Sequence, residues 1–282
     1  MAICGITPRA QEASSSDMKA ATNRLAEPFR TIREVPWASI GAVLILELLG
    51  LLLFLAQPHP LLVVLFPWPT VIGVGVFALG RLRPHDLGIA AGKILPAALC
   101  AIGLWLAIQV AVAGILLLGE GELSWERISL GHLVDQLLFF ALTEEIIYRA
   151  YLLPQLLLKL KRFIRHPAGA FGAALVASQG IFALSHIPHR LASNVATNEI
   201  PFQLLLVFMS GLFLCYIYLR SRNLLVAVAV HALGNYPTIL FSHDRLPWYV
   251  VNLLVMLVGL MVVEGWRRID TKIQQPPAGS VR

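Results

Sequence analysis

Three groups of polar residues interrupt apolar stretches of this 282-residue chain. They are Glu144-Glu145 with Arg149, Phe182 with His186, and His231 with Asn235. Carboxylates, imidazoles and an amide supply what the hydrolysis of a peptide bond by an activated water requires, namely a general base and donors for an oxyanion. Ionisable residues inside apolar stretches are rare and are by default candidates for function. The pattern therefore predicts a site for acid–base chemistry.

The two neighbouring glutamates are expected to have different roles. Glu145 and Arg149 are four residues apart, so they lie on one helix face and can form an ion pair. Glu144 points about 100° away from Glu145 and is left for a neighbouring helix. Two close carboxylates with different partners differ in acidity, and the one without a cation is the better base. A purely structural ion pair would explain Glu145 and Arg149 but would leave Glu144 unpaired.

The two histidines and the asparagine complete the predicted site. His186 would help to hold the water, and His231 and Asn235 would donate hydrogen bonds to an oxyanion. A metal site is the alternative, because two histidines and a glutamate match a catalytic zinc shell in type. Since no HExxH or other compact ligand spacing occurs, we predict no cofactor and keep a divalent metal such as zinc as the alternative.

The composition is that of a membrane protein. Hydrophobic residues make up 57% of the chain and charged residues 13%, whereas soluble domains carry about 25% charged residues. So little polar surface argues against a soluble globular enzyme and excludes a disordered chain. The predicted fold class is all-α, a polytopic transmembrane helical bundle of about eight spans.

Eight apolar runs approach the length of about 20 residues that a helix needs to cross a bilayer. The runs are Trp37–Gln57, Leu61–Gly80, Ile94–Leu118, Leu133–Leu158, Ala168–Ile187, Phe202–Leu219, Leu224–Phe241 and Trp248–Val263. We expect a cytoplasmic N-terminal tail (1–36), accessory transmembrane helices (37–130), a catalytic core (131–241), a final transmembrane helix (242–267) and a disordered cytoplasmic tail (268–282). Two further acids at or within spans, Glu47 and Glu264, are assigned to interhelical hydrogen bonds or to the interface.

The basic residues indicate the orientation of the spans. With both termini in the cytoplasm, 18 of the 22 lysines and arginines lie in cytoplasmic segments and three lie in outer loops. This asymmetry is the usual signal of membrane orientation. The net charge of +6 therefore reflects topology and predicts no nucleic-acid partner. We predict an integral, multi-pass protein in contact with membrane lipid, which in a bacterium would be located in the cytoplasmic membrane.

The three motifs, in this order on separate spans, resemble those of the CPBP family. This is the CAAX-protease and bacteriocin-processing group of intramembrane glutamic endopeptidases, also called ABI or Rce1-like. The resemblance covers about Leu133 to Asn235, where Phe208-x-x-Gly211 and Asn223-Leu224 also fit the family layout. Three residues depart from the pattern: Tyr148 replaces a usual phenylalanine, Ala150 a common glycine, and Cys215 a second small glycine.

The resemblance implies a role for each matched residue. Glu144 would be the general base, His186 would share its water, and Glu145 with Arg149 would form the orienting ion pair. His231 and Asn235 would form the oxyanion site. The implied activity is endoproteolysis of a membrane-associated protein or peptide, with or without an attached lipid. The resemblance implies no particular substrate, and the sequence predicts no oligomeric state.

Two other function classes fit part of the pattern. Glutamate and histidine relays also occur in proton-coupled transporters, but no internal repeat relates the two halves, and the catalytic-type polar groups all follow residue 130. A non-catalytic membrane protein that binds peptides, such as an immunity factor, could use the same cavity. Its binding would survive Glu144→Gln, whereas proteolysis would not.

Overall fold

The computed structural model of the chain describes residue 29 and residues 32–56, 67–80, 82–120, 130–241 and 248–274. These residues form helices and connecting turns, with no β-strand among them. The helices are α1 (Trp37–Leu55), α2 (Pro67–Leu79), α3 (Ala91–Glu120), α4 (130–160), α5 (Pro167–Ser185), α6 (Ile187–Ala192), α7 (Ile200–Ser221), α8 (Leu224–Asn235) and α9 (Trp248–Gln274). A single 3-10 turn, Pro84–Leu87, precedes α3.

Helix α4 changes its winding several times without a break. Segments Gln136–Ala141 and Glu145–Leu152 are π-helical, and α-helical segments lie before, between and after them. A π-helical turn bonds each amide to the carbonyl five residues back and is frequently found at functional sites. Helix α2 is π-helical as well. The two predicted glutamates lie at the point where the second π-helical segment begins.

Each of the eight predicted spans contains a helix in the part of the chain that is described. Three helical stretches there are long and apolar enough to cross a membrane: Pro84–Gly119, Pro167–Ala192 and Ile200–Ser221. The all-helical architecture is therefore confirmed. The number of eight crossings and the cytoplasmic position of both termini stay predictions.

The central element is α8. Nine of its 12 residues are buried, and it packs against α3, α4, α7 and α9. A helix that is apolar on all sides is one that other helices surround. His231 therefore reaches the centre of the bundle from α8, opposite the glutamates of α4.

The predicted span Leu224–Phe241 is helical only as far as Asn235. The ring of Pro237 disfavours the helical conformation at the residue before it, and Tyr236 has an extended backbone with φ −143° and ψ 88°. Residues 236–241 therefore continue as irregular backbone beside α3.

A buried glutamine of α3 holds this irregular segment. The Gln109 Nε2 donates to the Thr238 carbonyl oxygen at 3.3 Å, and the Gln109 Oε1 accepts the backbone N–H of Leu240 at 2.8 Å. The indole N–H of Trp105 donates to the same Thr238 carbonyl at 3.2 Å. Because lipid offers no hydrogen bonds, irregular backbone inside a membrane needs partners within the protein. Gln109 and Trp105 supply them.

The end of the chain also differs from its sequence-based assignment. Helix α9 continues to Gln274, so residues 268–274, within the tail expected to be disordered, are helical. Pro276 and Pro277 follow, and proline cannot donate to a continuing helix. Residues 275–282 lie outside the described part, as does the first part of the predicted N-terminal tail.

The last residues of that N-terminal tail attach to the end of α4. The Gln155 side chain accepts the backbone N–H of Val35 and donates to the carbonyl of Arg33, both at 2.9 Å. Lys159 forms an ion pair with Glu34 at 3.1 Å and places its ammonium 4.7 Å from the centre of the Trp37 ring. These contacts fix the entry of the chain into α1 against the helix that carries the glutamates.

The Glu34 ion pair predicts a pH-dependent stability. The hydrogen bond from Lys159, with the nearby Arg162, holds the pKa of Glu34 below its ordinary value. A lowered pKa gives stability that is present above the unfolded pKa and is lost as the pH falls through the folded pKa. We expect Glu34→Gln to lower the melting temperature of the detergent-solubilised protein at about pH 7 and to have a smaller effect at about pH 3. An equal difference at both pH values would contradict this.

Candidate active site

His231 lies between the two glutamates of α4. Its Nδ1 is 2.8 Å from the Oε1 of Glu145, and its Nε2 is 3.5 Å from the Oε2 of Glu144. The same Oε1 of Glu145 is 3.2 Å from the Nη1 of Arg149. Two neighbouring carboxylates, one imidazole and one guanidinium thus form a connected group across the interface of α4 and α8.

Burial distinguishes the two glutamates. The side chains of Glu145 and Arg149 are fully buried, and that of His231 is 8% exposed. The Glu144 side chain is 26% exposed. The predicted ion pair of Glu145 with Arg149 is present, and Glu144 alone in the group is open enough to contact water. The structure adds the bridging position of His231, which helix geometry within α4 could not predict.

The aromatic ring of Phe182 packs against four side chains in and around this connected group. The guanidinium carbon of Arg149 lies 4.1 Å from the ring centre, which is a cation–π contact. The ring centres of Tyr148, His186 and His231 lie 4.9, 4.8 and 6.3 Å away, each at a steep angle to the ring of Phe182. Phe182 therefore covers the buried guanidinium and fixes the spacing of both histidines.

His186 lies at the junction of α5 and α6 and is half-buried. Its Nδ1 is 2.8 Å from the carbonyl oxygen of Phe182, and because a carbonyl can only accept, the Nδ1 carries the proton. In the neutral ring the Nε2 is then an acceptor. The stretch that is long and apolar enough to cross a membrane continues past His186 through α6 to Ala192.

Asn235 stands apart from this connected group. It is the last residue of α8, it is exposed, and its Nδ2 donates to the Oε1 of Gln136 at 3.0 Å. Asn235 lies four residues after His231, so both lie on one face of α8. The structure therefore brings four of the six predicted residues into direct contact, with His186 beside Phe182 and Asn235 next to Gln136.

A third carboxylate reaches the site from α1. The hydroxyl of Tyr148 donates to the Oε1 of Glu47 at 2.6 Å. The predicted interhelical role of Glu47 is thus confirmed, and so is that of Glu264, which accepts two hydrogen bonds at 2.8 Å from Arg220 of α7. The contact between Glu47 and the site was not predicted. Its only signal is the hydroxyl of Tyr148, at a position where the CPBP pattern has phenylalanine.

Gly211 lets α7 approach the buried group. A Cβ at this position would lie 2.7 Å from the Gln179 Oε1, 3.1 Å from the Phe182 ring and 3.4 Å from the Arg149 Nη2. Real Cβ atoms do not come so close to a buried amide oxygen, so any larger residue would displace the layer that covers Arg149. Small residues at such contacts are typical of packed membrane helices.

The described residues do not form a metal site. None of their histidine, cysteine, aspartate and glutamate side chains are grouped in threes in a way that could hold a metal ion. Both ring nitrogens of His231 face carboxylates, those of Glu145 and Glu144, so this imidazole has no nitrogen directed away from them for a metal. The donor set therefore fits the metal alternative poorly.

Comparison with known proteins gives one match. The sequence model of a family described as "Type II CAAX prenyl endopeptidase Rce1-like" matches residues 126–237. The resemblance seen in the sequence is confirmed over this segment, which contains all six predicted site residues. No curated protein and no solved structure matches the chain.

Replacing the buried arginine of this ion pair should destabilise the protein more than replacing an exposed arginine. Arg149→Met leaves the Glu145 carboxylate buried without its cation, and we expect it to lower the free energy of unfolding by about 3–5 kcal/mol. Arg162→Met is the matched control, because Arg162 is 67% exposed in its ion pair and exposed pairs contribute about 0–1 kcal/mol. Equilibrium unfolding of the detergent-solubilised proteins measures both. Equal losses would contradict the assigned geometry.

The bond between Tyr148 and Glu47 is open to a double-mutant cycle. Tyr148→Phe keeps the ring and leaves the Glu47 carboxyl without its donor, which costs about 1–3 kcal/mol of unfolding free energy. In a protein that already carries Glu47→Leu, we expect the loss of unfolding free energy caused by Tyr148→Phe to be smaller by about 1 kcal/mol or more. Tyr216→Phe, which removes an exposed bond to Glu264, is the control. Additive effects of the two substitutions would show that the contact carries no coupling.

Proposed function

We propose, from the match of residues 126–237 to the Rce1-like family, that this chain is an intramembrane endopeptidase. It hydrolyses a peptide bond in a membrane-associated protein or peptide. The observation that carries the proposal is the position of Glu144: it is the partly exposed carboxylate beside His231 and the buried pair of Glu145 and Arg149. A purely structural cluster has no need of this second, water-accessible acid.

Glu144 is the proposed general base. Its carboxylate takes a proton from a water molecule, and the oxygen of that water attacks the carbonyl carbon of the scissile peptide bond. His186 orients the water through its Nε2, which accepts a hydrogen bond when the ring is neutral. Glu144 then returns the proton to the leaving nitrogen as the carbon–nitrogen bond breaks, so the enzyme ends the cycle unchanged.

His231 and Asn235 are the proposed oxyanion donors. The Nδ1 of His231 faces Glu145, and in this proposal its Nε2 donates toward the reacting oxygen. Asn235 has two amide hydrogens, and Gln136 accepts one of them, which leaves the other for the substrate. Donors that are fixed before the reaction stabilise developing negative charge most effectively in a site that excludes bulk water.

Glu145 and Arg149 act as positioning residues in this proposal. Their side chains are fully buried, so they do not touch the substrate. Arg149 pairs with Glu145, and Glu145 holds the imidazole of His231 in one orientation. This arrangement follows the general pattern in which an acid orients a histidine that works on the substrate.

The proposal predicts that wild type generates new protein N-termini by cleavage and that Glu144→Gln does not. Membranes from cells that express wild type, Glu144→Gln or Glu199→Gln at equal level are compared by labelling and sequencing of protein N-termini. Glu199 is an exposed glutamate before α7, so its variant makes the same chemical change away from the site. We expect Glu144→Gln to lower the specific termini by about 100- to 10,000-fold, the usual contribution of a general base, and Glu199→Gln to leave them unchanged.

Two other outcomes have distinct meanings. Identical termini from wild type and Glu144→Gln, with both proteins folded, would reject proteolysis and favour a non-catalytic peptide-binding role. Complete loss of the wild-type termini with a zinc chelator would instead favour the metal alternative. Uptake of a solute that depends on a proton gradient and on Glu144 would favour a transporter.

A further inference from the structure

A cavity of about 200 Å³ lies beside the proposed reaction centre, between α1 and α5. Five aliphatic side chains of these two helices line it, and Glu47, Tyr148 and Ser185 stand among them. A closed cavity of about 150 Å³ holds a benzene molecule. The space is therefore sufficient for one aliphatic or aromatic side chain.

Two of the residues that line the cavity, Tyr148 and Ser185, lie close in the chain to the proposed reacting residues. Tyr148 follows Glu144 by four residues and so lies on the same face of α4, about one turn away. Ser185 directly precedes His186 at the end of α5, and its hydroxyl donates to the carbonyl oxygen of Phe182 at 2.8 Å. A residue bound next to a peptide bond held between Glu144 and His186 would have its side chain at this position.

The mixture of groups in the cavity favours a peptide over a lipid. One carboxyl oxygen of Glu47 already accepts from Tyr148, and the Ser185 hydroxyl already donates to the carbonyl of Phe182. An acyl chain would cover the remaining acceptor positions of both groups without offering them a donor, which costs free energy. A peptide presents an apolar side chain to the leucines and a backbone N–H to a carboxyl or hydroxyl oxygen. Sites that are mostly apolar with a few polar groups are typical of such ligands.

We propose that this cavity is a specificity pocket that receives one large apolar side chain of the substrate next to the cleaved bond. The inference rests on the proposed endopeptidase function. It also gives a role to α1, which lies outside the matched residues 126–237. Glu47 and the leucines of α1 form one wall of the pocket. The hydrogen bond from Tyr148 to Glu47 sets the distance between that wall and α4.

Two adjacent leucines of α1 provide a matched test. Leu48 lines the cavity, whereas Leu49 is not among its lining residues, and their exposures are 47% and 46%. Leu48→Trp fills the cavity, and Leu49→Trp adds the same bulk elsewhere on the helix. The probe is the set of new N-termini in membranes from cells that express each variant, since each terminus reveals the residues on both sides of the cleaved bond.

We expect Leu48→Trp to lower cleavage about tenfold or more at bonds flanked by leucine, isoleucine or phenylalanine, the size of discrimination that apolar pockets achieve. Bonds flanked by alanine or glycine should be retained, and Leu49→Trp should match wild type. An unchanged pattern in Leu48→Trp would overturn the inference and is the result expected of a lipid-filled groove. A uniform loss at all bonds would overturn it also, because size selection would be absent.

The experiment separates the two proposals. If wild type and Glu144→Gln give the same termini, the endopeptidase function fails and the pocket fails with it. If wild type cleaves, Glu144→Gln does not, and Leu48→Trp keeps the wild-type preference, the pocket alone is rejected.

Discussion

The structure depends on one buried carboxylate, that of Glu145. An ionised carboxylate inside a membrane bundle is stable only if cations and hydrogen-bond donors surround it. Arg149 provides the cation from one turn along α4, and His231 approaches from α8. Phe182 of α5 covers the guanidinium, and Gly211 of α7 permits the close approach of that helix. Four helices thus take their relative positions around the contacts of this one side chain.

The accessory helices contribute more than a boundary with lipid. Helix α3 supplies Gln109, which holds the irregular segment after α8 through its carbonyl and amide groups. Helix α1 supplies Glu47, which binds Tyr148 beside the proposed base. The residues before α1 bind the far end of α4 through Gln155 and Lys159. The helix that carries the glutamates is therefore held at several levels by segments outside the matched region.

Sequence patterns predicted the helices well because lipid imposes a strong and simple rule on apolar length. They also predicted the bond between Glu145 and Arg149, since that contact depends only on helix geometry. They could not predict that His231 bridges the two glutamates, because the contact joins residues 86 positions apart and depends on how α4 and α8 pack. The end of α8 at Asn235 was also missed: residues 236–241 are apolar enough to continue a span, and only Pro237 and the polar groups of α3 show otherwise. The roles of Glu144, His186 and Asn235 in the reaction are matters of chemistry that neither helix geometry nor packing can test.

The backbone of Thr238 has a consequence for how this bundle loosens. Its φ is +48°, a left-handed conformation that is a genuine outlier for a β-branched residue. Such a residue raises the energy of the native state by about 1–3 kcal/mol and persists only where its surroundings hold it. Here the side chains of Gln109 and Trp105 both donate to the carbonyl oxygen of Thr238, and Gln109 also accepts the backbone N–H of Leu240. Opening of residues 236–241 would release this energy, but it would also break the hydrogen bonds made with Gln109 and Trp105. The strain at Thr238 therefore offsets part of the cost of opening the segment that follows Asn235.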